Sequence, residues 1–70
     1  MKKRNEIYFP SVIYSEELID RAILDYGSIC TVIKKRLPNG VLCIFIMSIA
    51  DIELTMNEFS NYLIELFNAH

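Results

Sequence analysis

The sequence is short of the residues from which small proteins build active sites. It has one histidine, His70, at its last position, and only two cysteines and two glycines. A nucleophilic site needs a base beside a serine or cysteine, and a terminal imidazole is poorly held for that role. Two separate glycines do not make a glycine-rich phosphate loop. We therefore expect no catalytic activity; the remaining alternative is a composite site that uses Asp51, Glu53 or His70.

The two cysteines are also too few, and too far apart, for a metal site. Cys30 and Cys43 form no C-x-x-C pair, whereas a zinc site needs about four ligands. In the hairpin predicted below, Cys43 falls opposite the region near Arg36 and away from Cys30, which argues against a disulfide. We expect buried thiols in a reducing cytoplasm, with no metal and no cofactor.

Strong net charge and long hydrophobic runs are missing as well. The net charge of −2 creates no field that attracts nucleic acid or acidic lipid. The longest apolar run, residues 41–47, is far shorter than the roughly 20 residues of a membrane span. Lys34, Lys35 and Arg36 predict a solvated strand end, with phosphate contact as the alternative. We expect neither nucleic-acid nor membrane binding.

What the sequence does have is an excess of apolar residues. They make up 53% of the 70 residues, against about 45–50% in soluble domains. A single core of this size rarely supplies more than about 3–5 kcal/mol. We predict a flexible basic tail over residues 1–5, with a docking arm as the alternative for its basic run, and one domain over residues 6–70.

The first half of the domain predicts a strand followed by a helix. The strand covers residues 6–9 and resumes at residues 12–14, with Pro10 restricting it to a sheet edge or a bulge. Ser15 is a good helix N-cap. Gly27 is expected to end the helix in a left-handed conformation. The apolar face of this helix is formed by Leu18, Ile19, Ala22, Ile23 and Tyr26.

The second half predicts a hairpin, a short strand and a helix. Residues 29–37 and 41–47 are the hairpin strands, and residues 38–40 form a turn with positive φ at Asn39 and Gly40. Residues 51–54 alternate as a possible fourth strand. Thr55 and Glu58 then form a capping box that opens the second helix. Its apolar stripe comprises Phe59, Tyr62, Leu63, Leu66 and Phe67.

Together these elements predict an α+β domain of order β-α-β-β-(β)-α. Its two helices cover one face of a three- to four-stranded sheet, which makes a two-layer architecture. The β-α-β portion should cross over with a right hand and bring its two strands together or near one another.

The apolar run at residues 41–47 is the most informative feature. Successive side chains of a strand point to opposite faces, so Val41, Cys43, Phe45 and Met47 face one way. Leu42, Ile44 and Ile46 face the other. Strands that are apolar on both sides are normally covered on both, yet both helices occupy one face. Either the N-terminal segment or a helix wraps over the second face, or that face binds a second copy or another partner.

Two segments resemble the HxsD-like family. Residues 12–19, VIYSEELI, followed by Ala22 and Tyr26, are similar to the family's opening strand and helix start. Residues 58–66, EFSNYLIEL, resemble its closing motif, although residues 67–70 lack the usual basic ending. The likeness spans about residues 7 to 68.

The resemblance implies a small companion of radical SAM enzymes that modify ribosomally made peptides. Such a companion would bind the precursor peptide, the enzyme, or both, by adding an extended segment to a sheet edge. The alternative is a homodimeric structural or interaction domain without small-molecule chemistry. The expected partner contacts are Thr31 and Ile33 at the hairpin edge, Leu42, Ile44 and Ile46 on the spare strand face, and Tyr62 as a groove lining.

Overall fold

The computed structural model describes residues 5–69 of the chain. Three strands and two helices make up this part, in the order strand, helix, strand, strand, helix. They are β1 (Glu6–Pro10), α1 (Glu16–Asp25), β2 (Cys30–Leu37), β3 (Gly40–Ser48) and α2 (Ile52–Asn68).

The strands form one antiparallel sheet in the order β1-β3-β2. The apolar strand β3 is therefore central, and β1 and β2 are its two neighbours. Both helices pack on the same face of the sheet, where alternate side chains of the strands meet the apolar stripes of the helices. The predicted two-layer α+β architecture is thereby confirmed. The core consists of Phe9, Ile19, Ala22, Cys30, Val41, Cys43, Phe45, Phe59 and Leu63.

The beginning of α1 follows the sequence prediction, but its flanks do not. Ser15 is the N-cap and its hydroxyl accepts a hydrogen bond from the Leu18 amide. The strand expected to resume at residues 12–14 is instead a turn, because the Ile13 and Tyr14 amides donate to the Pro10 carbonyl.

Neither glycine adopts the left-handed conformation that we predicted. All φ values of the described residues are negative. The α1 C-cap is Tyr26, whose amide still bonds to the Ala22 carbonyl. The β2–β3 hairpin turns at Pro38 and Asn39 with negative φ, which the ring of Pro38 favours.

Helix α2 begins one turn earlier than predicted, and the fourth strand does not form. Asp51 is the N-cap, and its carboxylate accepts a hydrogen bond from the Leu54 amide at 3.0 Å. Thr55 is inside the helix, where its hydroxyl lies 2.9 Å from that of Ser48. The capping box at Thr55 is therefore wrong. The helical apolar face starts at Ile52, so residues 51–54 gain more by continuing it than by forming an isolated strand.

The predicted tail lies outside the described residues except for Asn5. The Asn5 carbonyl accepts a hydrogen bond from the Phe45 amide at 2.8 Å. Asn5 therefore belongs to the β1–β3 pairing, and the ordered domain starts at least one residue before the predicted boundary.

Candidate functional site: the open face of the sheet

The sheet face opposite the helices is the candidate functional site. Within residues 5–69 no helix or loop covers it, and we call it the open face. Its side chains follow from the strand register, in which each open-face residue alternates with a core residue. They are Glu6 and Tyr8 of β1, Thr31, Ile33 and Lys35 of β2, and Leu42, Ile44 and Met47 of β3, with Ile46 at the border.

Cross-strand rows bring these side chains together. Ile44 stands between Glu6 and Ile33, and the next row places Leu42 between Tyr8 and Lys35. Directly opposed side chains lie about 4.5–5.5 Å apart at Cβ, so the aliphatic groups form one continuous surface. Leu42 and Ile44 of the central strand are half-buried. The side chains on the two outer strands are more exposed to solvent, with Ile33 49% and Tyr8 43% exposed.

A β-bulge extends the apolar surface along β3. Val32 pairs with Phe45 and Thr31 pairs with Met47, which leaves Ile46 as the extra residue. The bulge reverses the alternation beyond Phe45. Met47, predicted on the core side, is consequently 65% exposed, and Ile46 is 54% exposed. The hydroxyl of Ser48 now points to the helices, where it meets Thr55.

At the other end of the face, Gly40 makes room for an aromatic ring. A Cβ atom on Gly40 would stand 2.8 Å from the ring of Tyr8 and 2.4 Å from the Phe9 carbonyl oxygen. Only a residue without a side chain allows this close approach of β1 to β3. Tyr8 therefore lies across the strand next to it and closes the apolar face at this end.

The face borders on the free edge of β2. Among the described residues no strand pairs with the outer side of β2, which runs for eight residues without proline. The outer side of β1 is shorter, with five residues ending at Pro10. An unpaired edge presents amide and carbonyl groups to another extended chain, so β2 is the better template.

Of the three basic residues predicted as a solvated strand end, Lys35 and Arg36 are exposed, whereas Lys34 is half-buried. Lys34 and Arg36 are on the helix side, where both bind Glu16 of α1 at 2.6 and 2.8 Å, and Lys34 also binds Asp20. The Lys34 ammonium, followed by the Arg36 guanidinium, holds the pKa of Glu16 below its usual value. Asp20 and Glu16 raise the pKa of Lys34. This cluster fastens α1 to β2, and Lys35 alone of the three brings positive charge to the open face.

The structure brings together five of the six residues predicted as partner contacts. Thr31, Ile33, Leu42 and Ile44 lie on the open face, and Ile46 borders it at the bulge. Tyr62 does not join them because it belongs to the helical layer. Its hydroxyl donates to Asp25, and its ring packs 5.6 Å from that of Tyr26. Sequence reasoning missed Tyr8 and Met47, since neither the strand order nor the bulge can be read from an apolar run.

The residues considered for a composite catalytic site do not form a cluster in the described part of the chain. Asp51 caps α2, Glu53 is exposed in its first turn, and His70 lies outside the described residues. Both cysteines are buried free thiols, and burial raises the pKa of Cys43 to about 11. Cys43 is opposite Lys34 rather than Arg36, a register two residues from the predicted one.

A second depression lies on the helical layer, away from the sheet face. It is an open groove of about 970 Å³ between the two helices and the segment before α1. Ile13, Leu24, Leu66 and Phe67 supply its apolar walls, and Glu17 and Arg21 supply charges of both signs. The mixed rim and the separate walls make it a less continuous apolar surface than the open face.

Comparison with protein families, with curated proteins and with solved structures gave no match. The helices of the described part are too short or too polar to cross a membrane. In residues 5–69 no three histidine, cysteine or acidic side chains are grouped as metal ligands would be. The site is thus defined by its own geometry, an apolar sheet face bordered by an unpaired strand edge.

Proposed function

We propose that this protein is a non-catalytic binding domain that holds a partner polypeptide at the β2 edge, and that it serves as a companion of a radical SAM peptide-modifying enzyme in the cytoplasm. The observation that carries the proposal is the free eight-residue edge of β2 beside an exposed apolar face. The resemblance to HxsD-like proteins supports the choice of enzyme.

Strand addition supplies affinity and selectivity from different parts of the site. Backbone groups of an extended peptide bond to those of β2 whatever the peptide sequence, and its alternate side chains meet the surface beside the edge. On the open side these side chains would contact Thr31 and Ile33, both exposed. An aliphatic residue opposite Ile33 extends the apolar row that continues through Ile44.

Charge adds a second element of selectivity. The exposed Lys35 lies two residues beyond Ile33 on the same face of β2, whereas Lys34 and Arg36 are already paired with α1. A peptide with an acidic residue two positions from an aliphatic one therefore fits this edge best. Opposite charges that face each other on neighbouring strands contribute roughly 0.2–1 kcal/mol. The ion pair with Lys35 therefore adds more to selectivity among peptides than to overall affinity.

Binding of the neighbouring precursor peptide tests the proposal. The probe is the precursor peptide encoded next to this gene and to a neighbouring radical SAM gene. It is labelled with a fluorophore, and its fluorescence anisotropy is followed as purified protein is added. We expect saturable binding that Ile33→Lys weakens at least about tenfold. Ile13→Lys is the matched control, because Ile13 is 48% exposed on the helical layer, and it should leave binding unchanged.

Two N-methylated peptides make the test specific for strand addition. In an added strand, the amides of alternate residues face β2, so methylation of one alternate set should abolish binding and methylation of the other should not. Equal effects of both sets would contradict strand addition. A gene neighbourhood without a radical SAM enzyme would contradict the proposed enzyme partner. Strand addition is then tested with a synthetic extended peptide that carries an acidic residue two positions from an aliphatic one.

A further inference from the structure

The hydrogen bonds of the sheet define which backbone groups of β2 are used within it. In an antiparallel ladder, the backbone groups of successive residues point alternately to one neighbouring strand and to the other. The Phe45 amide donates to the Asn5 carbonyl at 2.8 Å, on the β1 side. Ile44 therefore directs its backbone groups to β2, where its partner is Ile33. By the same alternation, Lys35 also directs its amide and carbonyl to β3.

The intervening residues of β2 present their backbone groups outward. They are Val32, Lys34 and Arg36, whose amides and carbonyls point to the free edge. The Cys30 amide, next in this series, is instead bonded to the Tyr26 carbonyl at 2.9 Å. The part of the edge that an added strand can use therefore runs from residue 32 to residue 36.

Two side chains of this part face the open side, and they differ in chemistry. Ile33 is 49% exposed, and Lys35 is exposed two residues later. Because their backbone groups bond to β3, both occupy non-hydrogen-bonded positions of an antiparallel strand added outside. Opposite Cα atoms are about 4.5 Å apart at such positions, and their side chains come closest. Antiparallel addition, which is also the more stable pairing per residue, thus gives Ile33 and Lys35 the closest contact with a peptide.

We infer that the β2 edge binds its peptide antiparallel and in one order, with an acidic residue two positions before an aliphatic one. Since β2 runs from Ile33 to Lys35, an antiparallel peptide meets Lys35 first. Its carboxylate pairs with the Lys35 ammonium, and the aliphatic side chain that follows packs on Ile33 and extends the row to Ile44. The inference rests on the proposed function, and it adds the direction of the peptide and the class of sequence that the peptide carries.

The helix side of the edge favours an uncharged residue between these two. That middle residue lies opposite Lys34, whose ammonium already binds Glu16 at 2.6 Å and also binds Asp20. The neighbouring Arg36 guanidinium binds Glu16 at 2.8 Å. Opposite charges within the protein are therefore paired on this side, and a charged middle residue would compete with them. The preferred order is acidic, uncharged, aliphatic.

Two synthetic peptides of identical composition test the order. Both have the same threonine-rich flanks, and one carries Glu-Thr-Ile at its centre where the other carries Ile-Thr-Glu. In fluorescence anisotropy, the wild type should bind the Glu-Thr-Ile peptide at least about fivefold more tightly, because the reversed order loses the matched contacts at both Ile33 and Lys35. Lys35→Glu should instead prefer a Lys-Thr-Ile peptide to the Glu-Thr-Ile peptide. Arg21→Glu makes the same change of net charge on exposed α1 and should keep the preference of the wild type. Circular dichroism checks that each variant is folded.

Spin labels on the Glu-Thr-Ile peptide measure its direction independently. A nitroxide at the peptide's N terminus should broaden the Leu37 amide more than the Thr31 amide, and one at its C terminus should do the opposite. The reverse pattern, equal binding of the two orders, or a Lys35→Glu protein that still prefers the acidic peptide would overturn the inference while strand addition stands. Binding of the Glu-Thr-Ile peptide without binding of the precursor peptide would refute the proposed partner alone. Binding of neither peptide would refute both.

Discussion

Removal of the Phe59 ring is the sharpest test of the core that supports the open face. Phe59 is fully buried and projects from α2 into the space between the helices and the sheet. Its ring lies 5.1 Å from that of Phe45, 5.5 Å from that of Tyr26 and 6.1 Å from that of Phe9. Phe59 of α2 thus joins β1, β3 and the C-terminal end of α1 in one aromatic cluster.

The expected loss is as large as the stability of the whole domain. A buried Phe→Ala substitution costs about 3–5 kcal/mol through lost burial and the cavity that remains. A domain of this size has about 3–5 kcal/mol to lose. Phe59→Ala should therefore be largely unfolded at 25 °C without denaturant, whereas Phe59→Leu, which fills most of the space, should remain folded and lose about 1–2 kcal/mol.

Urea unfolding followed by far-UV circular dichroism measures this difference. Protein concentration must be held constant, because association adds to the apparent stability. Phe67→Ala is the matched control: it removes the same ring from the same helix, but Phe67 is 47% exposed and contacts only the Tyr14 ring among aromatic neighbours of the described part. It should cost about 1 kcal/mol or less. A Phe59→Ala protein within 1 kcal/mol of the wild type would refute this description of the core.

Three further predictions concern local interactions: the close approach at Gly40, the helix cap at Asp51 and the ion pair of Glu16. Gly40→Ala should destabilise the domain by about 1–3 kcal/mol in urea unfolding, because its Cβ would meet the Phe9 carbonyl oxygen at 2.4 Å; an unchanged midpoint would contradict the close approach. Asp51→Ala should cost about 0.5–2 kcal/mol through loss of the helix cap, and Asp51→Asn much less; equal losses would contradict capping. Glu16 has a lowered pKa, so its pairing with Lys34 contributes stability above pH 4.5 that is lost as the pH falls below that value. Thermal unfolding of Glu16→Gln should therefore depend less on pH between 3 and 5 than that of the wild type.

The layer architecture could be predicted because periodicity and caps agreed over most of the chain. Ser15 with the apolar spacing after it defined α1, and Pro38 with Asn39 defined the hairpin turn. The alternation from Val41 to Phe45 also identified Leu42 and Ile44 as the open-face side chains of β3. Each of these signals is local, which is why the sequence alone was sufficient.

The remaining features depend on contacts between distant residues. Asp51 and Thr55 are both good N-cap residues; in the structure Asp51 caps α2, and Thr55 lies inside the helix with its hydroxyl beside that of Ser48. The bulge at Ile46 cannot be predicted from a segment in which every residue is apolar. The sequence predicts Lys34 as a solvated charge, and only the fold places Glu16 and Asp20 of α1 beside it. Tyr8 and Met47 could not be assigned to the site without the strand order and the bulge.

In one copy of the chain, the described residues leave the sheet face opposite the helices open. Isoleucine methyl NMR with a soluble paramagnetic probe measures this exposure, because the probe broadens only methyl groups that solvent reaches. In dilute protein Ile33 and Ile46 should broaden as strongly as Ile13, and the buried Ile19 should not. Protection of Ile33 and Ile46 equal to that of Ile19 in the dilute monomer would contradict the account, since the chain would then cover its own sheet.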